Sequence, residues 1–265
     1  MSDWLLSRAP IRFVPGAWLG AALIAISASI PASHAAPPSA RRPVSTFSIV
    51  ARDAKTGEMG VAVQSHWFSV GPVVPWAEAG VGAVATQSLV EVSYGPLGLE
   101  LLRAGRSAPD ALRALLAADS SAAVRQVAIV DAAGRVATHT GERCIAFAGD
   151  STGAGFSVQA NLMASATVWP AMAAAYTRAE GDLADRMLAA LDAAQAAGGD
   201  IRGRQSAAIL IVKAQASGRP WADRTFDLRV EDHPEPLTEL RRLVVLNRAY
   251  ARMNHGDELV AENRF

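Results

Sequence analysis

Cysteine is almost absent from this chain of 265 residues, where Cys144 stands alone. One thiol can form neither an internal disulfide nor a thiolate metal cluster, so neither can hold the fold. No nucleophile motif flanks Cys144, and burial as a small hydrophobe is its expected role. Lysine is scarce as well, with only Lys55 and Lys213. Neither sign of charge dominates, since Lys+Arg and Asp+Glu are 25 each. That leaves no basic face for nucleic acid and no acidic tail for a cationic partner. No P-loop, dinucleotide fingerprint or zinc spacing appears, so no cofactor and no metal is expected. No internal repeat is visible, and the 51% hydrophobic content suits one compact domain with a sizeable core.

The first 36 residues differ from the rest. Arg8 and Arg12 precede "GAWLGAALIAISASI", and "PASHAA" follows. A basic start, a short apolar run rich in Ser and Ala, and a small-residue site near Ala35 or Ala36 read as a secretory signal peptide over 1–36. The run is too short for a comfortable membrane span, so a membrane anchor is the lesser alternative. The expected location is therefore exported, periplasmic or secreted, with no stable span once the leader is gone. "APPSARRPVS" then reads as a linker or pro-segment over 37–45. Loss of 1–45 removes four arginines (8, 12, 41 and 42) but only Asp3, which leaves a mildly acidic protein.

From Thr46 the pattern is globular. "TFSIVARD", "AKTGE" and "MGVAVQSHWF" predict a β-hairpin over 46–68, and "GVGAVATQSL" a third strand. "YGPLGLELLRAG" and "SAPDALRALLAAD" carry helical spacing, the second with Ser107 and Asp110 as its N-terminal cap. "VRQVAIVDAAGRVATHTG" predicts another hairpin and "GFSVQANLM" a short strand. The Ala/Leu stretch from Trp169 to Ala197 predicts one or two helices that stop at Gly198-Gly199. Two strands follow, "GRQSAAILIVKA" and "TFDLRVED", and a Pro-initiated helix ends the series. Blocks of strands and helices, rather than βαβ alternation, predict an α+β fold: a four-layer αββα sandwich of two mainly antiparallel sheets.

The hairpin gives a local expectation about chemistry. With the turn centred on "AKTGE", Asp53 faces about Met59 and Thr46 lies opposite about His66, which gathers Gln64, Ser65 and His66 around Thr46. Asp53 sits at the far end of the strand, roughly 23 Å away, and cannot assist there. An internal Thr hydroxyl has nothing nearby to deprotonate it. Cleavage between Ser45 and Thr46 would free an α-amine with pKa near 7.7 on the same residue, able to act as general base.

These segments together, with "VPWAEAGVGAVATQ", "GGDIRGRQSAAILIV" and "DLRVEDHPEPLTELRRL", resemble the domain of unknown function family 1028 (DUF1028), of the N-terminal-nucleophile (Ntn) hydrolase superfamily. The resemblance runs from about Thr46 to Leu246 and implies an Ntn-hydrolase-like domain over 46–265. By likeness to a proteasome-type subunit, Thr46 is the nucleophile, with His66 beside it. Gln87 lines the cleft and its oxyanion donors, Asn161 lies near the amine, and Asp200, Arg202, Gln205 and Ser206 approach the same end. Residue type alone adds Arg202 or Arg204 as a clamp for a substrate carboxylate. The proteasome pattern also uses a lysine near the nucleophile, which this chain lacks there. The implied activity is an exported amidohydrolase that cleaves an unidentified small-molecule or peptide amide after leader removal, by autoprocessing or by another protease.

Plainer readings stand beside these. Thr46 can be a β-favouring residue at a strand start, and His66 a surface or core histidine. Gln205 and Ser206 can satisfy backbone groups, and Asn161 can make a turn. "GDSTG" matches G-x-S-x-G, which would make Ser151 the nucleophile of a serine hydrolase, but the motif needs a strand before it and a helix after it. Asp232, His233 and Glu235 lie on an extended segment whose neighbouring side chains point apart, which disfavours one metal site. The rival to an enzyme is a catalytically silent secreted binding module with the same fold. Oligomeric state stays open, a homo-oligomer included.

Overall fold

A computed structural model describes residues 46–264. The expected leader and linker lie outside the described residues. In chain order the elements are β1 (Thr46–Arg52), β2 (Met59–Ser65), β3 (Pro75–Glu78), β4 (Gly82–Ser88), α1 (Tyr94–Arg103) and α2 (Ala108–Ala118). They continue with β5 (Arg125–Asp131), β6 (Val136–Thr140), β7 (Gly149–Gly153), β8 (Phe156–Asn161), α3 (Val168–Arg178) and α4 (Leu183–Ala196). The last three are β9 (Ser206–Val212), β10 (Arg224–Val230) and α5 (Pro236–Ala261).

The strands form two antiparallel sheets, of order β10-β9-β2-β1-β8-β7 and β3-β4-β5-β6. Side-chain alternation along each strand sets what packs where. On β1, Phe47, Ile49 and Ala51 point to the helical side and join Met172, Leu188 and Leu191 of α3 and α4. Val50 points the other way, with Val61 and Val63 of β2, against Ala83, Ala85 and Ala128 of the second sheet. Behind that sheet, Val84, Val127 and Ile129 pack on Leu99 and Leu112 of α1 and α2. The sheets thus meet face to face with helices on both outer sides. Both faces of β1 are closed, and Phe47 and Ile49 are fully buried. Truncation of Ile49 to Ala would cost about 2–5 kcal/mol.

Local signals account for most element ends. Ser107 caps α2 by accepting from the Asp110 amide at 3.3 Å, and Asp182 caps α4 through the Asp185 amide at 3.0 Å. The Ala/Leu stretch is two helices, parted at Gly181, whose φ of 97° no ordinary L-residue adopts without strain. α5 begins at Pro236, but only its first turns pack: Pro236, Leu237, Leu240 and Val244 are its buried residues. No described helix is long and apolar enough to cross a membrane.

Two strands differ from expectation. β3 was not foreseen; it is a four-residue edge strand opening on Pro75, a place where a missing N–H costs no ladder bond. "GDSTG" is itself a strand, β7, at the other sheet's edge, so Ser151 sits mid-strand and not on a strand-to-helix elbow. Gly149 is there because Trp169 stands where its side chain would be: an added Cβ would come within 2.5 Å of the indole.

Candidate active site

The hairpin register is one residue tighter than expected. Thr46 faces Ser65, and Arg52 faces Met59. The cause is the turn: the Asp53 carboxylate accepts from the amides of Lys55 (2.6 Å) and Thr56 (3.0 Å), and Asp53 N donates to Glu58 O at 2.8 Å, which closes the loop early. His66 therefore lies just past the end of β2. Its amide donates to Asp200 Oδ2 at 3.0 Å, and its Nδ1 lies 3.4 Å from Arg204 O.

The shift brings four polar residues into one row. Ser206, Ser65, Thr46 and Asn161 are successive cross-strand partners over β9, β2, β1 and β8, so their side chains share a sheet face. All four are fully buried. Thr46 Oγ1 donates to Ser65 Oγ at 3.1 Å.

Opposite this row the second sheet presents a cross-strand pair, Gln87 and Gln126. Gln87 Nε2 donates to Thr46 O (3.2 Å) and to Gln126 Oε1 (2.7 Å), and Asn161 Nδ2 reaches the same two acceptors at 3.4 and 3.0 Å. One turn of the pleat deeper, Ser48 Oγ donates to Gln87 Oε1 and accepts from Gln159 Nε2, both at 2.6 Å. Gln126 Nε2 donates onward to Ala160 O at 2.9 Å and Thr140 Oγ1 at 3.0 Å. Among the described residues the network meets an ionisable side chain only at its rim, where Thr140 Oγ1 donates to Asp150 Oδ1 at 2.5 Å. One atom is left over: Asn161 Oδ1 is buried with no hydrogen-bond partner among the described residues.

Not every candidate joins the cluster. Gln64 pairs with Phe47 on the opposite, helix-facing side of the sheet, and its Nε2 donates to Gln195 on α4 at 2.8 Å. The expectation that it gathers with Thr46 fails, because adjacent strand residues point to opposite faces. Ser206 lies in the row, but its hydroxyl donates to Trp67 O and accepts from Val70 N at 3.2 Å, which fixes the loop after β2. Gln205 holds the other side of that region through its carbonyl, which accepts from His233 N at 2.7 Å. Asp200 comes to the same end of the sheet, bridged to Met163 two residues past Asn161, and is paired with Arg202 at 3.2 Å. Arg204 is paired with Glu235 at the surface. Gln87 and Asn161 hold the carbonyl of Thr46 itself, so they position the strand end.

Gln126 and Gln159 went unnoticed in the sequence. The signal was present in "FSVQAN", where Ser157, Gln159 and Asn161 alternate with apolar residues; such alternation ordinarily marks a solvent face, but both faces of β8 are buried. Backbone strain marks the same place. Ser88, directly after Gln87, has φ 72°, and Leu162, directly after Asn161, has φ 60°, conformations that cost about 1–3 kcal/mol and persist where packing enforces them. Cys144 is only partly buried; its thiol donates to Arg125 O at 3.3 Å, and burial pushes its pKa up.

The family model DUF1028, a family of unknown function, matches residues 46–240, so the match opens on the first residue of β1. This chain belongs to DUF1028. The crystal structure of protein SPO2555 from Silicibacter pomeroyi, also of DUF1028, is similar at 31% sequence identity and a TM-score of 0.67, over 76% of this chain and 88% of that one. No curated protein matches.

Proposed function

We infer that the chain is an exported Ntn-type amidohydrolase whose nucleophile is Thr46, exposed by removal of residues 1–45. The observation that carries this reading is the arrangement around Thr46. Its hydroxyl is hydrogen-bonded to Ser65, its carbonyl is held by Gln87 and Asn161, and its cross-strand partner offers a buried, unpaired Asn161 Oδ1. That oxygen, on the residue paired with Thr46 across β1 and β8, is a candidate acceptor for a new α-amine there. Among the described residues the hydroxyls and amides that meet Thr46 are neutral, so the amine itself is the base at hand, with a pKa near 8 that leaves it partly neutral at physiological pH.

In this reading the neutral amine takes the Oγ1 proton as the oxygen attacks an amide carbonyl. It then returns that proton to the departing amine, and water hydrolyses the ester left on Thr46. His66 and Asp200 flank the strand end and would shape substrate entry. Thr46 is fully buried in the intact chain, which suits a precursor kept inactive until it is cut. The αββα sandwich and the Ntn superfamily belong to the same reading.

N-terminal sequencing and intact mass of protein recovered from its native compartment test the first step, and assays on N-acyl and peptide amides test the second. The mature chain should begin at Thr46, and Thr46→Ala should lose about 1000-fold or more in kcat. Activity in a chain that keeps residues ahead of Thr46, or in Thr46→Ala, would refute the assignment. The same burial favours the second reading, a silent secreted binding module, if the mature chain instead begins at Ala36 or Pro37.

A further inference from the structure

The far end of β1 carries a separate feature. Between the β1–β2 turn, β7, β8 and α3 lies a cavity of about 620 Å³, a volume typical of small-molecule sites. It lies about 20 Å along β1 from Thr46. Among the described residues three arginines line it, Arg52, Arg178 and Arg186, and no carboxylate does. Among the described residues the counter-ion in contact is Asp53, paired with Arg186. Arg178 ends α3, where the helix dipole contributes about half a negative charge. Lys55 and Glu180, which line the adjoining cavity, cancel each other. Three guanidinium groups against one carboxylate and that half charge leave net positive charge facing the space.

The protein itself does not saturate the donors of these side chains. Arg52 Nε and Arg186 Nε are buried without a hydrogen-bond partner among the described residues. Tyr176 lines the cavity at only 5% exposure, and its hydroxyl makes no hydrogen bond among the described residues. Its ring packs on Phe156 with centroids 4.6 Å apart, and the Arg186 guanidinium sits 5.2 Å from the ring centre. The result is an aromatic wall beside a cationic one. We propose that this cavity binds a small organic carboxylate, its apolar body against Phe156 and Tyr176 and its charge on the arginines and the Tyr176 hydroxyl. Guanidinium groups suit that head because their paired N–H donors match a carboxylate's two oxygens.

The test uses benzoate as probe, titrated into the full chain by calorimetry, with benzamide and inorganic phosphate as comparisons. Benzoate should bind with a Kd at or below about 10 mM, and benzamide at least about tenfold more weakly. Tyr176→Phe removes a hydroxyl that bonds nothing among the described residues, and Arg178→Gln changes an exposed side chain, so both variants should fold. Each should weaken benzoate by about tenfold, while Thr46→Ala should leave it unchanged. Absence of benzoate binding, equal binding of benzamide, binding of phosphate alone, or unchanged affinity in both cavity variants would overturn the proposal.

Discussion

At one end of β1, Thr46 and Ser48 meet neutral hydroxyls and amides among the described residues, sealed between two sheets; at the other, just past Arg52, Asp53 meets Arg186 and Lys55 at the edge of an open cavity. A single seven-residue strand therefore joins two solutions to the same problem of placing polar groups. The neutral end depends on geometry, because each amide has to find a partner where no water can substitute. The charged end depends on electrostatics and keeps some contact with solvent, so it is more forgiving of substitution and more sensitive to pH.

Gln126→Leu should break that contrast most. It strips an acceptor from Gln87 and Asn161 and a donor from Ala160 O, at a cost of about 2–4 kcal/mol; urea denaturation measures it. Asp53→Asn should cost less, about 1–3 kcal/mol at neutral pH, since the pair with Arg186 is not fully closed to solvent. A larger loss in Asp53→Asn than in Gln126→Leu would reverse the comparison.

Acid sharpens it. Burial alone would raise the Asp53 pKa, yet the amides of Thr56 and Lys55 and the Arg186 guanidinium hold it below the usual carboxylate range. Its contribution is thus present above the unfolded pKa and is lost as pH falls through the lower folded value. The stability gap between wild type and Asp53→Asn should therefore be full near pH 6 and shrink below about pH 4, while the Gln126→Leu penalty should persist there. The smallest effect belongs to Tyr176→Phe, whose hydroxyl has no partner to lose among the described residues: thermal unfolding should shift by no more than about 0.5 kcal/mol.

The hairpin, the paired helices α1 and α2 and the antiparallel, α+β character were legible because period and punctuation agree there. Ser107 announces α2, and "AKTGE" announces the turn. The register of that turn was not legible, since it depends on which amides the Asp53 side chain captures. β7 hid because its glycines, placed to admit Trp169 and Phe156, look the same in sequence as glycines placed for a bend. At the candidate site Asn161 was placed near Thr46 by the family resemblance rather than by pattern, and the structure pairs the two across β1 and β8. The opposing glutamines were half readable: Gln87 drew notice, but Gln126 looks like an ordinary polar residue until a second sheet is laid over it.

Gln87 and Gln126 have one more consequence. Hydrocarbon layers can slide past each other at little cost, and the alanines and valines between these sheets impose little preference for one alignment. The amide bridges from Gln87 and Gln126 to Thr46 O, Gln159 O and Ala160 O do impose it, because a slip by a single strand position would strand several donors at once in a dry interior. They work as a key in a lock, fixing which part of one sheet may rest on which part of the other.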